Sequence, residues 1–138
     1  VLLYRFFQSP VQLIKEASAI SYKEGGISEL KAVLRVRNRS SQPYVRITVM
    51  DRVPMIADVE HDSMGTLKPA TIFNDGRGSV VKWELESLDS HEERILAYKI
   101  RSKLSILGTF VLPKGSLRFY TEKNVKFVTH SNIVTIKP

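Results

Sequence analysis

Apolar and charged side chains alternate with a period of two along most of this chain, and that period commits it to β-structure. Successive side chains of a strand point to opposite faces, so residues two apart share one face. Leu30, Ala32, Leu34 and Val36 are apolar, while Lys31, Arg35 and Arg37 fall in the opposite phase. Val45, Ile47 and Val49 alternate with Arg46, Thr48 and Met50, and Val81, Trp83 and Leu85 alternate with Lys82, Glu84 and Glu86. In residues 94–101, Leu96, Tyr98 and Ile100 share a face. Further strands are predicted at 71–73, 106–112, 116–121, 125–129 and 133–136. Residues 11–22 also read as a strand, although Leu13, Ile14, Ala17 and Ile20 fit a short amphipathic helix as well.

The breaks between these runs carry turn chemistry. Gly25-Gly26, Asn38-Arg39-Ser40-Ser41-Gln42-Pro43, Asn74-Asp75-Gly76-Arg77-Gly78 and Asp89-Ser90-His91-Glu92-Glu93 are polar or glycine-rich clusters. Glu122-Lys123-Asn124 reads as a hairpin loop, and residues 55–69 as a long connection. The result is roughly seven to nine short antiparallel strands with no helices between them, the signature of a sandwich or barrel. A doubly wound α/β fold is disfavoured on that ground.

The 138 residues suit one domain, read here as a leading segment or linker at 1–12 followed by the β-domain at 13–138. With no cysteine, disulfides and thiolate metal sites are impossible. The opening run Val1-Leu2-Leu3-Tyr4-Arg5-Phe6-Phe7 lacks the pattern of a signal peptide, and no run reaches the roughly 18 apolar residues of a membrane span. A first residue of valine reads as a piece of a longer protein.

Chemistry-bearing motifs are sparse. His61, His91 and His130 accompany no G-x-S-x-G elbow, and Ser90 and His91 are adjacent, so their side chains diverge on a strand. Asp58, Glu60, His61 and Asp62 could gather oxygen ligands, but their spacing matches no calcium loop. Gly76-Arg77-Gly78 is too short to cradle a phosphate and precedes no helix. No catalytic residue, metal or cofactor is therefore expected. Asn38-Arg39-Ser40 is formally an N-glycosylation sequon on a predicted surface turn. Trp83 falls on the apolar phase of its strand and is expected in the core.

The net charge of +7 admits polyanionic partners. If the strands holding residues 30–37 and 45–50 are neighbours, Lys31, Arg35, Arg37 and Arg46 form one positive face, a candidate site for an anion or a partner. The plainer alternative is a solvated face guarded by cations. Nucleic acid is disfavoured, because that face offers only Tyr44 for stacking. An anionic glycan, a lipid headgroup or a protein partner suits it better. Tyr4, Tyr22, Tyr44 and Tyr120 are the aromatic candidates for carbohydrate.

Several short motifs carry a resemblance. They are Arg37-Asn38-Arg39-Ser40, Asp51-Arg52-Val53-Pro54, Trp83-Glu84-Leu85-Glu86-Ser87-Leu88, Tyr98-Lys99-Ile100 and Ser131-Asn132-Ile133-Val134-Thr135-Ile136. In this order they resemble the conserved repeat domain of prokaryotic, especially archaeal, cell-surface proteins, over about residues 28–136. The chain departs from that pattern at Asp89-Ser90-His91, where Pro-Gly is usual, and in a longer 116–129 hairpin. The resemblance implies an immunoglobulin-like antiparallel β-sandwich placed outside the cytoplasm, as a module of a larger, membrane-anchored or surface protein. Its implied partners are other domains of that protein or a surface protein, and it implies no catalytic residues. The alternatives are a basic β-domain that binds nucleic acid or another polyanion, and an accessory carbohydrate-binding domain.

Overall fold

The computed structural model describes residues 9–60 and 69–137, apart from the side chains of residues 104 and 105. Among them are eleven strands: β1 (Val11–Lys23), β2 (Gly26–Asn38), β3 (Tyr44–Pro54), β4 (Ala57–Glu60), β5 (Thr71–Asn74), β6 (Gly78–Leu88), β7 (Glu93–Ile106), β8 (Phe110–Leu112), β9 (Ser116–Tyr120), β10 (Lys126–His130) and β11 (Val134–Ile136). One sheet has the order β1-β2-β7-β4, the other β10-β9-β3-β6-β5, and β11-β8 forms a separate ribbon. Every pairing is antiparallel. The fold is the expected immunoglobulin-like antiparallel β-sandwich, with nine strands in its two sheets.

The two-residue period sets what is buried. Leu30, Ala32, Leu34 and Val36 of β2 meet Leu96, Tyr98 and Ile100 of β7 on the inner face of the first sheet. Ile47, Val49 and Val53 of β3 join Val81, Trp83 and Leu85 of β6 on the inner face of the second. Trp83 is 1% exposed and lies 5.7 Å from the Tyr98 ring, bridging the sheets as expected for a core tryptophan. The 11–22 ambiguity resolves to strand: β1 pairs along its whole length with β2, and Val11 and Leu13 enter the core. A two-residue turn joins them, with positive φ at Glu24 and Gly25, the geometry that matches the twist of a hairpin.

Three expectations are corrected. Residues 55–69 are not wholly a connection, because Ala57–Glu60 form β4 at the edge of the first sheet, burying Ala57 and Val59. The strands holding residues 30–37 and 45–50 are not neighbours: β2 lies in one sheet and β3 in the other. Nor is Tyr44 an exposed aromatic. It is 5% exposed and packs edge-on against Phe119, centroids 4.9 Å apart. The cause is a bulge in β3, where the pairing with β9 slips between Val45 and Thr48 and Arg46 takes φ 51°. An inserted residue shifts the phase of the alternation, so Tyr44 rather than Val45 faces inward.

Candidate functional site

The sequence-predicted cationic face divides between the two sheets. Lys31, Arg35 and Arg37 stand on the outer face of the first sheet, whereas Arg46 belongs to the second. Around the first three, positive charge is interleaved with negative. Arg35 lies 3.4 Å from Glu16 and 3.5 Å from Glu93. Arg37 sits opposite Glu93, Arg101 pairs with Glu60 at 2.9 Å, and Lys103 approaches Asp58 at 3.8 Å. Lys31 opposite Lys99 is the one like-charged cross-strand pair of this face among the described residues. Asp58 and Glu60 thus face cations across the β4–β7 pairing, while His61 and Asp62, their expected companions, lie outside the described residues.

Arg46 lies over the Tyr120 ring, its guanidinium carbon 4.4 Å from the centroid, and donates to Asn124 Oδ1. Together with Thr48, Glu84, Glu86 and Arg118 these residues line an open groove of about 760 Å³ on the outer face of the second sheet. Its arginines are matched by two carboxylates. Of the other aromatic candidates, Tyr22 is exposed near the β1–β2 turn and Tyr4 lies outside the described residues.

The sequon asparagine is buried rather than exposed on its turn. Asn38 is 0% exposed, and its Nδ2, the atom a glycan would occupy, donates to the Gln42, Leu88 and Asp89 carbonyls at 2.8, 3.4 and 3.0 Å. Its Oδ1 accepts from the Ser40 backbone N–H and hydroxyl. One carboxamide therefore ties the β2–β3 turn to the end of β6. In the folded domain it is a structural clamp.

The site that sequence reasoning missed lies inside the sandwich. Lys15 of β1 is 1% exposed, and its Nζ donates to Asp51 Oδ1 at 2.7 Å and to the Pro113 carbonyl at 2.8 Å. Asp51 of β3, also 1% exposed, accepts at Oδ2 from the Tyr98 hydroxyl of β7 at 2.5 Å. Both charged side chains are wholly buried. Burial, reinforced by the negative charge of Asp51 and this hydrogen bond, raises Tyr98 well above the ordinary tyrosine range, so the phenol remains a donor.

The surrounding backbone holds the pair in place. β1 is an edge strand, and the Asn132 side chain acts there as a surrogate neighbour. Its Oδ1 accepts from Lys15 N–H at 3.0 Å and its Nδ2 donates to Lys15 C=O at 2.9 Å. Ser131 accepts from Gly115 N–H at 2.8 Å through its hydroxyl, and its own N–H donates to the Gly115 carbonyl at 2.9 Å. A Cβ at Gly115 would stand 3.3 Å from Asp51 Oδ1 and from Leu13, so the glycine lets the chain close over the carboxylate. The signal was present: Lys15 is in phase with Val11 and Leu13, Asp51 with Val49 and Val53, and Tyr98 with Leu96 and Ile100. Polar residues sharing the apolar phase of three strands mark a polar centre in the core.

No family model matches the sequence, and no curated protein matches it. Solved structures share the fold at low identity. The major pilin subunit BcpA of Bacillus cereus, as its D312A variant, matches with a TM-score of 0.67 and 11% identity over 93% of this chain. The full-length major pilin SpaD of Corynebacterium diphtheriae matches with a TM-score of 0.65 and 11% identity over 92%. An exo-β-N-acetylglucosaminidase of Vibrio harveyi matches with a TM-score of 0.58 and 12% identity over 90%. The chain spans 40%, 35% and 18% of those structures respectively. At such identity the likeness establishes one thing, the fold: this chain has the immunoglobulin-like sandwich that recurs within bacterial pilin subunits.

Proposed function

We propose that this chain is a non-catalytic structural or interaction module of a larger surface-exposed protein, of the repeat-domain kind that its motifs resemble. One observation carries the reading: the motif residues hold the fold together. Asn38 clamps a turn, Asp51 joins Lys15 and Tyr98, Trp83 fills the core, and Ser131 and Asn132 secure the edge of β1. These residues do not line the open groove on the second sheet, where the motifs contribute only Glu84, Leu85 and Glu86. A domain whose distinctive residues serve its own packing and hydrogen bonding suits a spacer or scaffold, with contacts made through its outer faces. The shared sandwich of the pilin subunits supports the same reading.

The decisive experiment is on whole cells of the source organism. An antibody raised against the folded domain should label intact cells, and external protease should remove that label. Labelling that appears only after lysis overturns the proposal. The net charge of +7 favours a second reading, a β-domain that binds a polyanion.

A further inference from the structure

We propose that the side chains of Lys15 and Asp51 condense into an intramolecular amide that covalently joins the two sheets. Lys15 belongs to β1 of the first sheet and Asp51 to β3 of the second, 36 residues apart. An amine hydrogen-bonded to a carboxyl oxygen lies about 3–3.5 Å from the carboxyl carbon, the separation of a near-attack arrangement. Here the hydrogen bond is 2.7 Å and both side chains are sealed from solvent. Holding the reactants in one geometry replaces the encounter that condensation in water requires.

The groups around the pair fit the product better than the ion pair. An ammonium carries three N–H donors, yet among the described residues Nζ has two acceptors, Asp51 Oδ1 and the Pro113 carbonyl. A secondary amide has one N–H and one carbonyl oxygen. The Pro113 carbonyl stands ready to accept the first, and the Tyr98 hydroxyl already donates to Oδ2, the oxygen that remains. Condensation also removes two buried charges, each costly to desolvate.

The step balances with no added reagent. A proton passes from Nζ to Oδ1 along their hydrogen bond, leaving a neutral amine beside a carboxylic acid. The Nζ lone pair attacks Cγ, and the charge developing on Oδ2 is held by the Tyr98 O–H, which acts as an oxyanion donor. A second proton moves from nitrogen to the Oδ1 hydroxyl, the Cγ–Oδ1 bond breaks, and one water leaves. Ammonium and carboxylate become amide and water, once per molecule. Nothing is oxidised or reduced.

Intact-mass measurement of the purified, denatured chain tests this directly. The expected mass is one water below that of the sequence, with proteolysis yielding a branched peptide that joins the segments of Lys15 and Asp51. In Lys15→Arg, which keeps the charge but not the reactive amine, the full mass should return. A wild-type chain at full sequence mass overturns the proposal. So does a deficit that persists in Lys15→Arg or maps to other residues. Any of these results leaves the cell-surface reading standing, because that reading does not depend on the bond.

Discussion

Tyr98 and Asp51 come from opposite sheets and meet in the core, the phenol donating to Oδ2 across 2.5 Å. That bond makes the fold sensitive to alkali. Tyr98 is raised in the folded state, burial being the first cause, while an unfolded tyrosine ionises near pH 10. A group raised on folding stabilises fully below its unfolded value, and the contribution fades as pH climbs toward the folded one. Stability should therefore fall above about pH 10. Tyr98→Phe should flatten that decline and cost about 1–3 kcal/mol at neutral pH, since it leaves Oδ2 without its donor. Urea midpoints for both proteins between neutral pH and about pH 11 check this; parallel curves would remove Tyr98 as the source.

Asn38 gives a test of clamp against acceptor. Replacing it with Asp puts a charged acceptor in front of the Gln42 and Asp89 carbonyls, which now receive hydrogen bonds from Nδ2. Asn38→Asp should destabilise by roughly 3 kcal/mol or more, and Asn38→Ala by about 1–3 kcal/mol. Expressed in a glycosylating host, the wild-type domain should carry no glycan at this position. A glycopeptide containing Asn38 would mean that the clamp opens before the chain folds.

Much of this architecture is written in the alternation, and the exceptions are instructive. β2, β6 and β7 can be read from the sequence because a central run of each keeps one apolar phase, Leu30 to Val36, Val81 to Leu85 and Leu96 to Ile100. β4 is hidden because only Ala57 and Val59 carry its phase, amid charged neighbours. Arg46 misleads because a bulge resets the alternation beside it. Asn38 looks like an exposed turn residue because the carbonyls that bury it come from Leu88 and Asp89, about fifty residues on. Lys15 and Asp51 go unnoticed for the same reason: neither charge makes sense on an apolar face until β1 and β3 are placed against each other.

The division of the cations between sheets predicts how the domain treats polyanions. Lys31, Arg35 and Arg37 share their face with Glu16 and Glu93, and Arg46 lies on the other sheet. Binding to heparin or DNA, followed across salt, should be weak and release no more than about two counterions. Charge reversal at Arg37 should change it little. A steep slope, with about five or more counterions released and lost on reversing Arg35 and Arg37, would favour the polyanion-binding reading instead.

Gly78 opens β6 opposite Pro54 with φ 150°, and a Cβ there would stand 2.1 Å from the Val53 carbonyl oxygen. Gly76, in the same turn, has φ 86° with nothing within 4 Å of a Cβ. The two glycines separate conformational cost from collision. Gly76→Ala carries only the penalty of a left-handed backbone, about 1–2 kcal/mol. Gly78→Ala adds a clash with backbone that no side-chain rotation can relieve, and should cost at least about 3 kcal/mol. Because Gly78 joins the β5–β6 turn to the β3–β6 ladder, the damage should reach the middle of the second sheet, not the turn alone. Urea midpoints for the two variants measure the order directly, and a larger loss at Gly76 would contradict the close approach at Val53.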